Sequence, residues 1–141
     1  MPMLGRQPGT QVFRELDDYP DSEQFAHVAV LRLDGGLFFA TSDALEDRIR
    51  EVIRSADDLA GIVLDCEGIN FVDSQGAAKI GEIVDLTDRT SICLRLARVK
   101  PEVYQVLSRD GVVARLGADR IHGNVYRAVQ AQLSADERPP Q

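Results

Sequence analysis

Cysteine and histidine are scarce in this chain: Cys66, Cys93, His27 and His122 are all it has in 141 residues. No CxxC spacing joins them, so they make no zinc-ligand pattern, and no metal site is expected. Both cysteines lie in apolar, strand-like runs and read as buried free thiols of a reducing compartment. Long apolar runs are missing too. No stretch reaches the roughly 18–20 residues that cross a bilayer, and residues 1–6 lack the apolar core of a signal peptide. A cytoplasmic location is the expectation that follows.

Basic residues are the minority, 16 Lys and Arg against 23 Asp and Glu, for a net charge of −7. An acidic domain repels phosphodiester backbones, which argues against a nucleic-acid partner. Arg95, Arg98 and Lys100 form a local basic trio, which reads as a solvated edge between a strand and a helix. Catalytic fingerprints are also lacking. Gly35-Gly36 does not continue into GxGxxG, and neither GxxxxGK[ST], HExxH nor GxSxG occurs. His122, alone ahead of a helix, reads as a cap or surface residue. No enzyme activity and no required cofactor are expected.

What is present is a single-domain quantity of core, with 44% hydrophobic and 28% charged residues. Residues 1–10, rich in Gly and Pro, read as a flexible lead-in, and residues 10–16 alternate polar and apolar as a half-exposed strand does. Residues 27–33 and 37–40 read as two strands joined by the turn Asp34-Gly35-Gly36, where glycine tolerates positive φ. Thr41-Ser42 then caps a helix whose inner stripe is Leu45, Ile49, Val52, Ile53 and Ala56. An apolar run at 61–66 reads as a buried strand. It is followed by a helix with Ala77, Ile80, Ile83 and Val84 inward, and a strand at 91–97. Pro101 opens a short helix with Val103, Val106 and Leu107. Ile121 marks a short last strand, and a helix at 124–133 buries Val125, Ala128, Val129 and Leu133. Residues 134–141 read as a disordered tail. Strands alternating with helices in this way predict an α/β fold with a mixed, mainly parallel sheet and helices mainly on one face.

The most informative segment is Asn70-Phe71-Val72-Asp73-Ser74-Gln75-Gly76, which delivers the buried strand to a helix start. Ser74 reads as the N-cap. A hydroxyl there can also contact an anion, because helix N-termini offer free N–H groups, or it can accept a phosphate. Asp73 beside Ser74 has no evident histidine with which to make a nucleophile–base pair.

Residues 62–76, with Leu64-Asp65 and Phe71-Val72-Asp73-Ser74-Gln75-Gly76, resemble the STAS domain. This is the fold of bacterial anti-sigma-factor antagonists and of the cytoplasmic C-terminal domains of SulP-type sulfate and anion transporters. The segment 4–14 and the run Leu37-Phe38-Phe39-Ala40 look like the transporter branch, as do Asp119-Arg120-Ile121-His122 and the last helix. The resemblance implies residues 1–10 as a linker from a transmembrane region, 11–133 as the STAS domain and 134–141 as the tail. It further implies a regulatory, interaction-making domain on the cytoplasmic side of the membrane, whose partner is the transmembrane domain of the same transporter. A regulatory protein or kinase is a further implied partner. The antagonists typically carry Asp-Ser-Ser-Gly with the first serine phosphorylated. Ser74 matches that position and Gln75 replaces the second serine. The alternative implied is a free anti-sigma-factor antagonist switched at Ser74. STAS domains of both branches are linked to GTP or ATP, which makes Thr41, Ser42, Asp73, Ser74, Gln75 and Gly76 candidate nucleotide- or anion-binding residues if the two helix starts adjoin.

Overall fold

A computed structural model describes residues 1–36 and 39–136. In chain order the elements are β1 (Leu4–Arg6), β2 (Phe13–Glu15), β3 (Val28–Asp34), α1 (Phe39–Ser55), β4 (Gly61–Gly68) and α2 (Ser74–Arg89). They are followed by β5 (Cys93–Ala97), α3 (Pro101–Arg109), α4 (Val112–Leu116), a 3-10 turn (Ala118–Arg120), β6 (Ile121–His122) and α5 (Val125–Ala135). The four strands β3-β4-β5-β6 pair in that order and all in parallel. Because the order simply ascends, each right-handed crossover lays its helix on the same face. The main core is accordingly built from Leu31, Leu64 and Leu96 of the sheet against Leu45 and Ile49 of α1, Ile80 and Ile83 of α2, and the apolar residues of α3 and α4. Alternate residues Val28, Val30, Val63 and Ala97 point the other way, and α5 covers them with Val125, Ala128 and Val129. The fold is the expected α/β sheet with helices mainly on one face.

The lead-in expected at residues 1–10 contains a strand. β1 pairs antiparallel with β2, matching Leu4 to Glu15 and Arg6 to Phe13, and buries Leu4. A lone strand of three residues has no intrinsic stability, so its pairing depends on what it packs against. Arg6 supplies part of that packing. It pairs with Glu23 and lies over the rings of Phe25 and Tyr126, with its guanidinium carbon 5.6 and 6.0 Å from their centroids. Residues just ahead of β1 also reach the sheet. The Arg32 amide donates to the Pro2 carbonyl, and Met3 bridges antiparallel to Leu31.

The hairpin expected between residues 27–33 and 37–40 does not form as read. Gly35 has φ +79 and its amide donates to the Gly68 carbonyl, so β3 ends in the predicted turn. Phe39 and Ala40 then open α1 instead of a second strand, while Leu37 and Phe38 lie outside the described residues. Thr41 and Ser42 are therefore inside the first turn of α1 and do not cap it. The Thr41 hydroxyl donates to the Gly36 carbonyl at 3.0 Å, and Ser42 is buried. At the other end, α5 extends to Ala135, and residues 137–141 lie outside the described residues.

Candidate functional site

The start of α2 is built by the carboxyl end of β4, as the sequence predicts, but its cap is Asp73 and not Ser74. Asp73 is extended (φ −95, ψ 178) and its Oδ1 accepts from the Gly76 amide at 2.7 Å. An acceptor must sit one residue before the helix to reach the amide of the third helical residue. Ser74 is already the first helical residue, so its hydroxyl is turned elsewhere. Arg109, at the end of α3, approaches it with Nη2 at 3.4 Å from Oγ, and Arg109 Nε holds Asp110 Oδ1 at 3.1 Å. The carboxyl of Asp110 titrates below its usual range, chiefly through Arg109, with the Ser74 hydroxyl as a lesser cause. Ser74 thus faces one cation and one anion on an exposed surface. Asp73→Ala is expected to cost about 1 kcal/mol of stability, and Ser74→Ala much less, in urea titrations of the two variants. Equal losses would contradict this assignment of the cap.

The two helix starts do adjoin. Ser42, Asp43, Gln75, Ala78, Lys79 and Glu82 line one open cleft of about 240 Å³. Its cation is already engaged: Lys79 Nζ is 2.8 Å from Glu46, 2.8 Å from Glu82 and 3.2 Å from Asp43. These carboxylates raise the lysine above its ordinary pKa, led by Glu46. Glu46 is also answered by Arg50 at 3.0 Å, and in the lining itself Asp43 and Glu82 outnumber Lys79, so the cleft is net negative and does not fit the polyphosphate of GTP or ATP. Of the six candidate residues, Ser42 and Gln75 meet in this cleft. Ser74 is on the Arg109 side, and Asp73 and Gly76 are committed to each other.

A second polar cluster, read only as strand and edge in the sequence, occupies the opposite face of the sheet. Asp65, fully buried, receives Arg98 in a two-pronged pair, Nε to Oδ1 at 3.0 Å and Nη2 to Oδ2 at 2.8 Å. Arg32 Nε stands 3.6 Å from Oδ2 and its other end reaches Glu15 of β2 at 3.7 Å. Arg98 has φ +57, a left-handed turn that carries its guanidinium back over the strand ends, and Asp65 raises its pKa. The basic trio is therefore not a solvated edge. Arg98 neutralises a buried acid, Arg95 is itself buried, and Lys100 bonds Asn70. The signal available in the sequence was Asp65, an acid inside an apolar run. Cys66 is buried as expected, with its thiol pushed up to about 12 by desolvation first, while Cys93 is half-buried. Among the described residues no group of His, Cys, Asp and Glu could hold a metal ion.

A parallel sheet with ascending strand order, helices α1–α4 on one face and a capped helix start after its second strand defines a particular class of small α/β module. The STAS domain family model matches residues 19–131, and the chain belongs to that family. It is 25% identical over 147 residues to the probable sulfate transporter 4.2 of Arabidopsis thaliana, covering 97% of this chain and 22% of that protein. The chloroplastic sulfate transporter 4.1 of the same plant is 28% identical over 141 residues, covering 93% and 21%. The chain thus spans about a fifth of the length of these relatives. In fold it is similar to part of the murine Solute Carrier 26 family member A9 anion transporter in the inward-facing state. That match has a TM-score of 0.85 at 18% identity and covers 94% of this chain and 22% of the other. It is also similar to the anti-sigma factor antagonist SpoIIAA in its unphosphorylated form, with a TM-score of 0.63 at 17% identity, covering 79% and 92%. No helix among the described residues is long and apolar enough to cross a membrane.

Proposed function

We propose that this chain is the regulatory STAS domain of a SulP-type anion transporter, that sulfate is the anion, and that the domain acts by coupling to a transmembrane region of the same protein on its cytoplasmic side. The observation that carries this reading is the match of almost the whole chain to one fifth of the length of plant sulfate transporters. The test is the reading frame upstream of residue 1. A series of apolar segments of spanning length there is the expected result. A stop codon directly upstream would overturn the transporter reading and leave a free-standing switch.

The second reading is that switch, an anti-sigma-factor antagonist controlled at Ser74, and the placement of Arg109 favours it. A phosphate on Ser74 would add about −1.5 to −2 charges, drawing Arg109 away from Asp110 and making the surface around Ser74 net negative. Phosphate recognition belongs to the same place. A nucleotide phosphate would find Arg109 and the free first-turn amides of α2 there, whereas the Lys79 cleft repels it. Titration with GTP, followed by backbone-amide NMR, is expected to shift Ser74 and Gln75 and to leave Thr41 and Ser42 unmoved. No shift at Ser74 and Gln75 at millimolar nucleotide would remove nucleotide from the proposal.

A further inference from the structure

α5 is the one helix on its face of the sheet among the described residues, and a polar seam runs beneath it. Arg95 of β5 is 7% exposed and Gln132 of α5 is 3% exposed. Arg95 Nε donates to Gln132 Oε1 at 2.9 Å, and Arg95 Nη1 lies 3.1 Å from His122 Nε2. Gln132 in turn presses on Gly61, where an added Cβ would come within 2.5 Å of its side chain. A guanidinium only donates. The 3.1 Å contact therefore requires a lone pair on His122 Nε2, so the imidazole is neutral with its proton on Nδ1.

We propose that His122 is an acid-responsive latch for α5: protonating its imidazole breaks the contact with Arg95, disturbs the Arg95–Gln132 bond and loosens the helix from the sheet. Protonated His122 would present a second donor and a second positive charge to a buried cation that has no carboxylate within 4 Å among the described residues. The groups around it oppose or support that change in a definite balance. On β5 stands Arg95, and the Arg98 amide donates to the His122 carbonyl. In the 3-10 turn Asp119 favours the charged ring, and from α5 the Arg127 guanidinium lies against neighbouring Gly123. Burial, then Arg95, hold the imidazole below its ordinary value of 6.5, and Asp119 offsets them only in part. With the neutral ring favoured in the fold, the unfolded chain binds the proton more readily just below that value. The contribution of His122 is thus complete above 6.5 and declines as pH falls through the window beneath it.

Native-state hydrogen exchange of the 141-residue chain, corrected for intrinsic rates, tests this between about pH 7.5 and about pH 5.5. The expected result is a loss of protection in α5 greater than any loss in β4. In His122→Gln, which keeps an acceptor and does not titrate, the excess loss should vanish. That variant leaves His27 in place, where Nδ1 is 3.0 Å from Asp58, so a pH effect arising there would persist and be recognised. Parallel behaviour of α5 and β4 in the natural chain, or an undiminished α5 loss in His122→Gln, would overturn the latch. Imidazole nitrogen shifts of the natural chain give an independent reading that needs no variant. They should show Nε2 unprotonated near neutral pH, and a protonated Nε2 there would equally overturn it.

Discussion

Replacing Asp65 by alanine is expected to lower the unfolding free energy by about 3 kcal/mol, measured as a shift in the urea midpoint at unchanged slope. The carboxylate is fully buried and answers two arginines and the amide of Glu67, which donates to Oδ1 at 3.2 Å. Its removal leaves Arg98 and Arg32 facing one another across β4 without an anion between them. The loss is placed at the low end of the range for a broken buried pair because the Arg98 side chain is 37% exposed and can turn toward water. Arg98→Ala should cost less than Asp65→Ala, since it leaves the acid with Arg32. The double variant should be less destabilised than the sum of the two, as expected of residues in one network. A loss under about 1 kcal/mol for Asp65→Ala would mean that the arginines are fully resolvated and that the pair contributes little.

Leu64→Ala is expected to cost about 3–4 kcal/mol by the same measurement. The parallel register sets Leu31, Leu64, Leu96 and Ile121 in one row across four strands, on the face that α1–α4 cover. Leu64 is one of the two inner members and has no exposed surface. Rigid strands on both sides and a helix layer above leave little room for collapse, so most of the cavity would persist. Ile121, at the two-residue edge strand and half-buried, should tolerate alanine better. A cost near 1 kcal/mol at Leu64 would show instead that the helices settle into the gap.

The parts of this fold that were legible in the sequence are those fixed by local pattern. The apolar run ending at Cys66, the acid–hydroxyl–glycine turn after it and the inner stripe of α2 all stand where they were expected. The start of α1 is not legible because the run Leu37-Phe38-Phe39-Ala40 is too short to tell strand from helix. Asp73 and Ser74 are both good capping residues one position apart, and only the reach from Oδ1 to the Gly76 amide decides between them. Arg95, which the sequence places on a solvated edge, is buried for a different reason. Between Leu94 and Leu96 it has the alternation of a strand with one wet face, yet that face is closed by α5, which arrives some thirty residues later. β1 likewise depends on a partner strand and on the Arg6 contacts, which nothing in residues 1–10 announces.

The margins of the four-stranded sheet bear on how this domain can join another molecule. One margin, along β3, is partly taken up by the chain's own Pro2 and Met3, and the other, β6, is two residues long. Neither gives a foreign segment a long free ladder of amides and carbonyls on which to add a strand, so recruitment by extending the sheet is disfavoured, as is the aggregation that exposed ladders invite. For this sheet, contact with a neighbour is then left to side chains on helices and connecting loops, where single substitutions can strengthen, weaken or redirect it without disturbing the backbone pairing underneath.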